Sequence, residues 1–359
     1  MARSILRPFA VRRRSWSWFS HARQPGPRLI ERRRLGRSDL SISRVGFGAW
    51  AAGGPGWRYE GSAERDTQSL AAMRRAFDYG VNWIDTAPVY GAGHSEQLVS
   101  RALARRDRPL VFTKCGRQWD SPDAPARSDL RPAAIRVDCE ASMGRLGVDV
   151  IDLLQFHWPD RDTGVPIEES WGELGRLVEE GKVRAPGVCN FDIDLLARCE
   201  AVSHVESLQI PLSLIARDSA AGLIQWCADR AIGVLVYSPM QVGLLTDSFT
   251  ADRVATFDAE DWRRQDPEFQ PPSLQRNLAL RDALRPLAEA RATTVAAVAV
   301  AWTLAWPQVT GAVVGASSGE QVDGWIDAAE VSLTADELGS IAAALSATGA
   351  GHGPAGRVE

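Results

Sequence analysis

Short apolar runs alternate with longer amphipathic segments along most of this chain. Eight of these runs have the length of a buried strand, and a stretch of mixed polar and apolar residues follows each one. The eight runs are Val45–Phe47, Val81–Ile84, Leu110–Phe112, Val150–Phe156, Val183–Val188, Ser207–Ile210, Ile232–Val236 and Val309–Val314. A hairpin is predicted before them, because Arg34-Leu35 is followed by a GRSD turn and then by residues 40–43.

The segments between the apolar runs have helical periodicity and helix-end signals. The segment from Asp66 to Tyr79 is predicted to place its apolar residues on one face, and Asp192 is predicted to cap a later helix. Residues 132–146 begin with proline, and residues 167–181 end on glycine. Repeated strand–helix units without a GxGxxG turn after the first strand predict an α/β fold. The expected architecture is a (β/α)8 TIM barrel with an N-terminal β-hairpin.

The chain is predicted to hold one folded domain between two extensions. Residues 1–30 contain no Asp or Glu but seven arginines, which suits either a disordered extension or a targeting or nucleic-acid-binding arm. Residues 31–346 form the barrel domain, and residues 347–359 form a Gly- and Ala-rich tail that is expected to be disordered. The connection from Gln241 to Gln275 is expected to be a mobile loop over the barrel mouth.

Composition narrows the class of protein. A hydrophobic fraction of 45% and a charged fraction of 24% are ordinary for a soluble globular protein. The net charge of −4 gives no general nucleic-acid signal, and no apolar run approaches the length of a membrane-spanning helix. The five cysteines are scattered and include no CxxC pair, which predicts reduced thiols in a cytoplasmic protein.

Four polar residues at predicted strand ends carry the chemical signal. Asp85 and Tyr90 lie in WIDTAPVYG, Lys114 lies in LVFTKCG, and His157 lies in LLQFHWPD. Barrel strands deliver their functional side chains to one mouth at the strand ends. Lys114 is one of only two lysines in a chain that otherwise uses arginine, which indicates chemistry that needs a compact, tunable ammonium group. There is no His-x-His pair or carboxylate cluster at these ends, so no metal site is predicted.

These segments, together with GKVRAPGVCNF and VLVYSP, resemble the aldo-keto reductase superfamily over about residues 34–345. HWPD points to a bacterial branch of that family. The resemblance implies a NAD(P)(H)-dependent oxidoreductase that reduces aldehydes or ketones, or oxidises the matching alcohols. It implies that Tyr90 is the general acid, that Lys114 and Asp85 tune it, and that His157 orients the carbonyl oxygen.

The resemblance also implies a set of cofactor contacts. The implied cofactor-binding residues are Asn190, Gln209, Tyr237, Ser238, Met240, Gly243, Leu244, Gly315, Ala316, Ser317, Ser318 and Gln321. Cys189, Leu212 and Trp325 depart from the family's usual serine, aromatic residue and asparagine. The adenosine segment GASSGEQVDGW contains no Lys or Arg, so the resemblance leaves the choice between NAD(H) and NADP(H) open.

Four tryptophans follow strand ends and are predicted to line a substrate pocket: Trp50, Trp57, Trp119 and Trp158. The expected partner is a small-molecule carbonyl or alcohol, with no nucleic acid and no membrane. Two alternatives stay open. One is a sugar dehydrogenase of the same fold, because tryptophan suits the apolar face of a pyranose. The other is a non-catalytic, cofactor-sensing regulatory subunit.

Overall fold

A closed barrel of eight parallel strands forms the centre of the molecule. The computed structural model describes residues 30–54, 62–104, 108–119, 126–220, 222–259 and 261–355. The strands are β1 (Arg32–Arg34), β2 (Ser41–Ser43), β3 (Val45–Gly48), β4 (Trp83–Asp85), β5 (Leu110–Cys115), β6 (Arg117–Gln118), β7 (Arg127–Ser128), β8 (Ile151–Phe156), β9 (Val183–Cys189), β10 (Ser207–Pro211), β11 (Gly233–Tyr237) and β12 (Val309–Gly315). The barrel order is β3-β4-β5-β8-β9-β10-β11-β12, and β12 pairs with β3 to close the ring.

Helices surround this barrel. They are α1 (Ala63–Asp78), α2 (His94–Ala102), α3 (Pro132–Leu146), α4 (Ile167–Glu179), α5 (Ile193–Glu200), α6 (Leu223–Ala228), α7 (Ala251–Ala255), α8 (Ser273–Ala283), α9 (Arg285–Ala290), α10 (Val295–Leu304), α11 (Gly319–Asp323) and α12 (Ala335–Thr348). Asp192 caps α5 as predicted, because its side chain accepts a hydrogen bond from the Leu195 amide. The predicted TIM barrel is confirmed.

The barrel strands are apolar because both of their faces are covered. All six positions of β8 are buried, and all ten positions of α10 are buried. One strand face points into the barrel and the other packs against helices, which explains continuous apolar runs rather than alternation. The predicted hairpin is confirmed as well: β1 and β2 pair antiparallel, with Arg33 opposite Ile42.

The long connection after β11 packs aromatic side chains into the main hydrophobic core. Residues 241–275 contain α7, the start of α8 and several short 3-10 turns. Phe249, Phe257 and Phe269 are buried there, with ring centroids 5.9 to 6.3 Å apart. This aromatic packing was not visible in the sequence pattern, which predicted only a loop. The mobility of the segment stays a prediction.

The structure describes the predicted tail, residues 347–359, as far as residue 355. Helix α12 continues to Thr348, and Ala350 beyond it is buried. The Arg217 guanidinium donates to the carbonyls of Gly353 and Pro354, at 3.2 and 3.1 Å. Gly351 has a φ of 62°, and a Cβ there would lie 2.1 Å from the Ile215 carbonyl oxygen. Glycine at position 351 permits this close backbone approach.

The first twenty-nine residues and the last four lie outside the described residues. The predicted domain boundaries at residues 30 and 346 therefore stay predictions. Among the described helices, none is alone long and apolar enough to cross a membrane. One bent pair, Ser273–Ala290 with Val295–Leu304, passes on length and composition only.

Candidate active site

Asp85 and Lys114 form a buried ion pair at the C-terminal mouth of the barrel. Asp85 ends β4, and Lys114 is the fifth residue of the neighbouring β5. The Lys114 Nζ donates to Asp85 Oδ1 at 2.5 Å and to the Thr86 carbonyl at 2.9 Å. Burial alone would lower the pKa of Lys114, but the Asp85 carboxylate reverses this, so the pKa of Lys114 is raised. The ammonium group therefore stays charged inside the protein.

Two glutamines hold the second oxygen of Asp85. Gln209 Nε2 donates to Asp85 Oδ2 at 2.9 Å, and Gln155 Nε2 donates to it at 3.3 Å. Four separate strands thus converge on one carboxylate, since Gln155 lies in β8 and Gln209 in β10. A buried ion pair is retained only when further hydrogen bonds satisfy its remaining atoms. These amides supply them and fix the direction in which Lys114 points.

Tyr90 lies in the turn between β4 and α2, with its ring buried above the ion pair. The Lys114 Nζ is 5.2 Å from the centroid of the Tyr90 ring. Burial raises the pKa of Tyr90 to about 12, and the charge of Lys114 opposes this shift only in part. Gly53 permits the arrangement, because a Cβ at Gly53 would lie 2.7 Å from the Tyr90 backbone carbon. The phenol is therefore a protonated donor at neutral pH.

His157 directly follows β8 and meets Tyr90 edge to face. The two ring centroids are 5.7 Å apart, with an interplanar angle of 81°. Burial first, then the charges of Lys114 and Arg117, hold the pKa of His157 well below its usual range. A neutral imidazole carries one N–H donor and one acceptor. Its Nδ1 is buried and has no hydrogen-bond partner among the described residues.

Asn190 and Tyr237 stand at the ends of β9 and β11, beside this group. The Tyr237 hydroxyl donates to Asn190 Oδ1 at 2.9 Å, and Asn190 Nδ2 donates to the His157 carbonyl at 3.2 Å. Asn190 adopts a left-handed backbone conformation with a φ of 62°. Cys189, immediately before it, is buried. The bonds fix a half-buried aromatic ring and a carboxamide side by side at the mouth.

Four of the predicted cofactor-binding residues, Ser238, Met240, Gly243 and Leu244, follow β11 in a tight turn. Ser238, Gln241 and Val242 all have positive φ values, between 46° and 56°. Gly243 and Leu244 donate their backbone amides to carbonyls within the turn. Leu244 is fully buried, and Met240 packs partly buried against the core. The side chains of Met240 and Leu244 therefore serve packing, which leaves only their backbone for a ligand.

The predicted adenosine residues lie between β12 and α11. Gly315 ends the strand, Ala316 is buried, and Ser317 donates its amide to Gln321 Oε1 at 2.7 Å. Ser318 caps the short α11. Trp325, just beyond, is buried, so it cannot take the place of a surface asparagine that contacts an adenine.

A distant helix supplies a cation that the local sequence does not contain. Arg75 of α1 donates to both carboxylate oxygens of Asp323 at 2.8 Å, and Tyr79 donates to the same carboxylate. The Arg75 side chain also lies 3.9 Å from the position of a Cβ on Gly319. Arg263 of the long connection is held by Asp261, at 2.5 Å. Both of these described cations are thus already paired with a carboxylate.

A match to a known protein family identifies the family of the chain that carries this site. Residues 44–346 match the model of the aldo/keto reductase family. The chain belongs to the aldo/keto reductase family. It is an oxidoreductase of a family that uses NAD(P)(H) and acts on small-molecule carbonyl substrates.

Individual aldo/keto reductases resemble this chain over most of its length. Aldo-keto reductase YhdN of Bacillus subtilis (strain 168) is 36% identical over 73% of this chain and 78% of its own length. The NADH-specific methylglyoxal reductase of Escherichia coli (strain K12) is 33% identical over 84% of this chain and 94% of its own.

Solved structures of the same family give the same result. The glycerol dehydrogenase AKR11B4 from Gluconobacter oxydans superposes with a TM-score of 0.82 and 37% identity, covering 92% of this chain and 99% of that one. The holo form of aldo-keto reductase AKR11C1 from Bacillus halodurans gives 0.72 and 25%, covering 92% and 98%.

The side chains at the barrel mouth of this aldo/keto reductase fit a nicotinamide. A flat aromatic face, Tyr237, lies beside two carboxamides, Asn190 and Gln209, at the end of the barrel that also carries the Asp85–Lys114 pair. The amide nitrogen of Gln209 already has a partner, because its Nε2 donates to Asp85. Among the described residues, no group of three or more His, Cys, Asp or Glu could hold a metal ion.

The predicted pocket tryptophans of this aldo/keto reductase differ in their exposure to solvent. Trp50 and Trp158 are 38% and 41% exposed, which is high for so large an apolar side chain. Trp119 is half-buried and packs against the cluster that contains Tyr90. Trp57 lies outside the described residues.

Sequence reasoning missed two residues of this aldo/keto reductase's site. Gln155 could have been predicted from the sequence, because it precedes His157 by two positions in an apolar strand and so shares its face. Arg75 was not, because it lies 248 positions before the Asp323 that it contacts. Only the closure of the barrel brings them together.

Proposed function

We propose that this protein reduces aldehydes or ketones to alcohols, or catalyses the reverse reaction, with NADH or NADPH and with Tyr90 as general acid and base. One observation carries the proposal. A buried lysine–carboxylate pair lies directly beneath a buried, protonated tyrosine, and a neutral histidine faces that tyrosine. Together these groups offer a proton donor and an oxygen-orienting donor at one point of the barrel mouth.

Each residue has a role that follows from its surroundings. When bound, a reduced nicotinamide supplies a hydride to the carbonyl carbon and is oxidised as that carbon is reduced. The Tyr90 hydroxyl gives its proton to the carbonyl oxygen, which completes the alcohol. Lys114 stabilises the phenolate that this transfer leaves, and Asp85 holds Lys114 in position. His157 directs an N–H toward the carbonyl oxygen.

The pKa of Tyr90 affects whether carbonyl reduction or alcohol oxidation is favoured at a given pH. A phenol with a pKa of about 12 is protonated at neutral pH, which suits donation to a carbonyl. Alcohol oxidation needs the phenolate instead, so its rate should increase as pH rises toward that pKa. The positive charge of Lys114 limits how far the pKa rises, and makes the reverse direction accessible.

Relatives support a small carbonyl substrate and use of NADH. The Escherichia coli relative is named an NADH-specific methylglyoxal reductase, and a structural neighbour is a glycerol dehydrogenase. The paired state of Arg75 points the same way, because a free cation near the adenosine segment would favour the additional phosphate of NADPH.

The test is a steady-state assay on the purified full-length chain. Methylglyoxal and a panel of aldehydes and ketones are offered with NADH and then with NADPH, and oxidation is followed at the nicotinamide absorbance. Glycerol and other alcohols are offered with NAD and NADP. Consumption of cofactor that depends on the carbonyl supports the proposal. Absence of turnover across the panel, with dinucleotide binding intact, contradicts it and favours a cofactor-sensing role.

The exposed tryptophans favour a second candidate, a sugar dehydrogenase. Trp50 and Trp158 present large apolar surfaces close to strand ends, and such surfaces suit the apolar face of a pyranose. Adding aldoses to the same assay decides between the two. A kcat/KM for an aldose above that for every small aldehyde would favour the sugar reading.

A further inference from the structure

Arg117 is a cation at the barrel mouth that the proposed chemistry does not use. It opens β6, three residues after Lys114, and its side chain is half-buried. The guanidinium donates to Ser128 Oγ at 3.1 Å and to the Ala126 carbonyl at 2.7 Å. Both acceptors are neutral.

No carboxylate of the described residues lies within 4 Å of the Arg117 guanidinium. Asp162 contributes to its field from farther away, and burial nevertheless lowers the pKa of Arg117. A guanidinium has five N–H donors, so several remain unused after these two hydrogen bonds. Two other half-buried arginines do reach carboxylates, since Arg145 donates to Glu96 and Arg136 to Glu173. Arg230 and the buried Arg217 donate to backbone carbonyls instead.

The guanidinium lies close to the reacting groups. Ala126, whose carbonyl it contacts, packs against the cluster formed by Ala87, Val89 and Tyr90, and Trp119 packs there too. The charge of Arg117 is also near enough to His157 to lower the pKa of that imidazole. The cation thus lies beside the cluster that contains Tyr90 and within electrostatic reach of His157.

We infer that Arg117 binds the anionic group of the substrate, so that the preferred substrates are aldehydes or ketones that also carry a carboxylate or phosphate. A guanidinium recognises both groups with paired N–H donors, and does so most strongly where water is partly excluded. This inference rests on the proposed carbonyl reduction and specifies its substrate class. The exposed tryptophans then cover the uncharged part of the molecule.

The experiment compares acids with their own esters. Glyoxylate and 4-oxobutanoate are each assayed beside their methyl esters, which keep the carbonyl and remove the charge. For at least one pair the acid should have the higher kcat/KM, by about tenfold or more, the size of one charge-assisted hydrogen-bonded contact. The ratio of acid to ester also cancels any change in proton transfer from Tyr90 or in the orientation of the carbonyl by His157.

Substitutions assign that ratio to one side chain. Arg117→Gln should reduce it by about tenfold or more, and Arg117→Lys should restore part of it, because lysine keeps the charge but loses the planar pair of donors. Arg127→Gln is the matched control, since Arg127 is exposed on β7 of the same small hairpin. It should leave the ratio unchanged.

A binding measurement keeps the inference testable without turnover. Calorimetry with succinate, which has no reducible aldehyde or ketone, should show binding to the NADH-loaded protein that weakens about tenfold in Arg117→Gln. Turnover of esters with a ratio that Arg117→Gln does not alter would overturn this inference alone. Failure to reduce any acid or ester would overturn the proposed function, and succinate binding unaffected by Arg117→Gln would overturn the role of Arg117.

Discussion

The proposed catalytic end and the proposed adenosine end of the barrel hold their charged groups in opposite ways. At the catalytic end, Lys114 and Asp85 are almost fully buried and are fixed by partners from four strands. At the adenosine end, Arg75 and Asp323 form a partly exposed pair between two helices. A buried pair sets the pKa of its neighbours, whereas an exposed pair contributes little to stability and is open to competition. Chemistry should therefore depend on the first pair, and cofactor choice on the second.

The largest effect is expected at Tyr90. Tyr90→Phe should lower kcat by at least about 10²-fold, the usual scale of a lost general acid, because phenylalanine has no proton to give. Dinucleotide affinity, measured by tryptophan fluorescence quenching, should stay close to that of the unmodified protein. Near-normal turnover of a good carbonyl substrate by this variant would remove Tyr90 from proton transfer.

Lys114→Met should move the pH profile of alcohol oxidation. The cation lowers the pKa of Tyr90 against the effect of burial, so its loss raises that pKa above about 12. The phenolate needed as a base then forms only at higher pH, and the rising limb of kcat should shift upward. Stopped assays across the alkaline range measure this.

The same substitution leaves Asp85 as an unpaired buried carboxylate, which costs about 3–5 kcal/mol and threatens folding. Asp85→Asn combined with Lys114→Met removes both charges and is the control. It should recover thermal stability and keep a smaller upward shift, because loss of the Asp85 charge lowers the pKa of Tyr90 by less than loss of Lys114 raises it. A profile identical to that of the unmodified protein in both variants would limit Lys114 to a structural role.

At the adenosine end, the protein should discriminate poorly between the two dinucleotides. The segment offers hydroxyl donors but no free cation among the described residues, so we expect Kd values for NADH and NADPH within about tenfold, or 1.4 kcal/mol. Ser318→Arg should shift the ratio toward NADPH without affecting kcat through Tyr90. A preference for NADPH beyond about a hundredfold in the unmodified protein would mean that another basic group binds the phosphate.

The smallest effect is expected when a substitution removes the carboxylate that pairs with Arg75. Asp323→Asn keeps the shape of the side chain but removes the charge that occupies Arg75, so NADPH should gain about threefold in affinity relative to NADH. The double variant Asp323→Asn with Arg75→Gln is the matched control, because it contains no cation to release. If both variants give the same ratio, Arg75 does not reach the cofactor.

The sequence predicted the two ends with unequal success, for a physical reason. The eight strands and the residues that end them follow from apolar runs, and parallel strands in a barrel bring their ends together without further information. The structure brings Asp85, Lys114 and His157 together beside Tyr90. Arg75 was missed because its contact depends on the packing of α1 against α11, which no local pattern encodes. The aromatic packing of residues 241–275 likewise depends on tertiary contacts that no local pattern encodes.

The contact between Arg75 and Asp323 also lies at a particular place in the ring of strands. Strand β12 pairs with β3, so the last unit of the barrel meets the first there, and α11 rests on α1 across the junction. A dinucleotide held by the β12–α11 segment would sit at this seam. Its binding energy would then oppose the separation of the chain's earliest and latest barrel units. Bound cofactor would therefore stabilise the closed barrel at the β12–β3 junction. Amide hydrogen exchange would then be slowed in β3 as well as in β12.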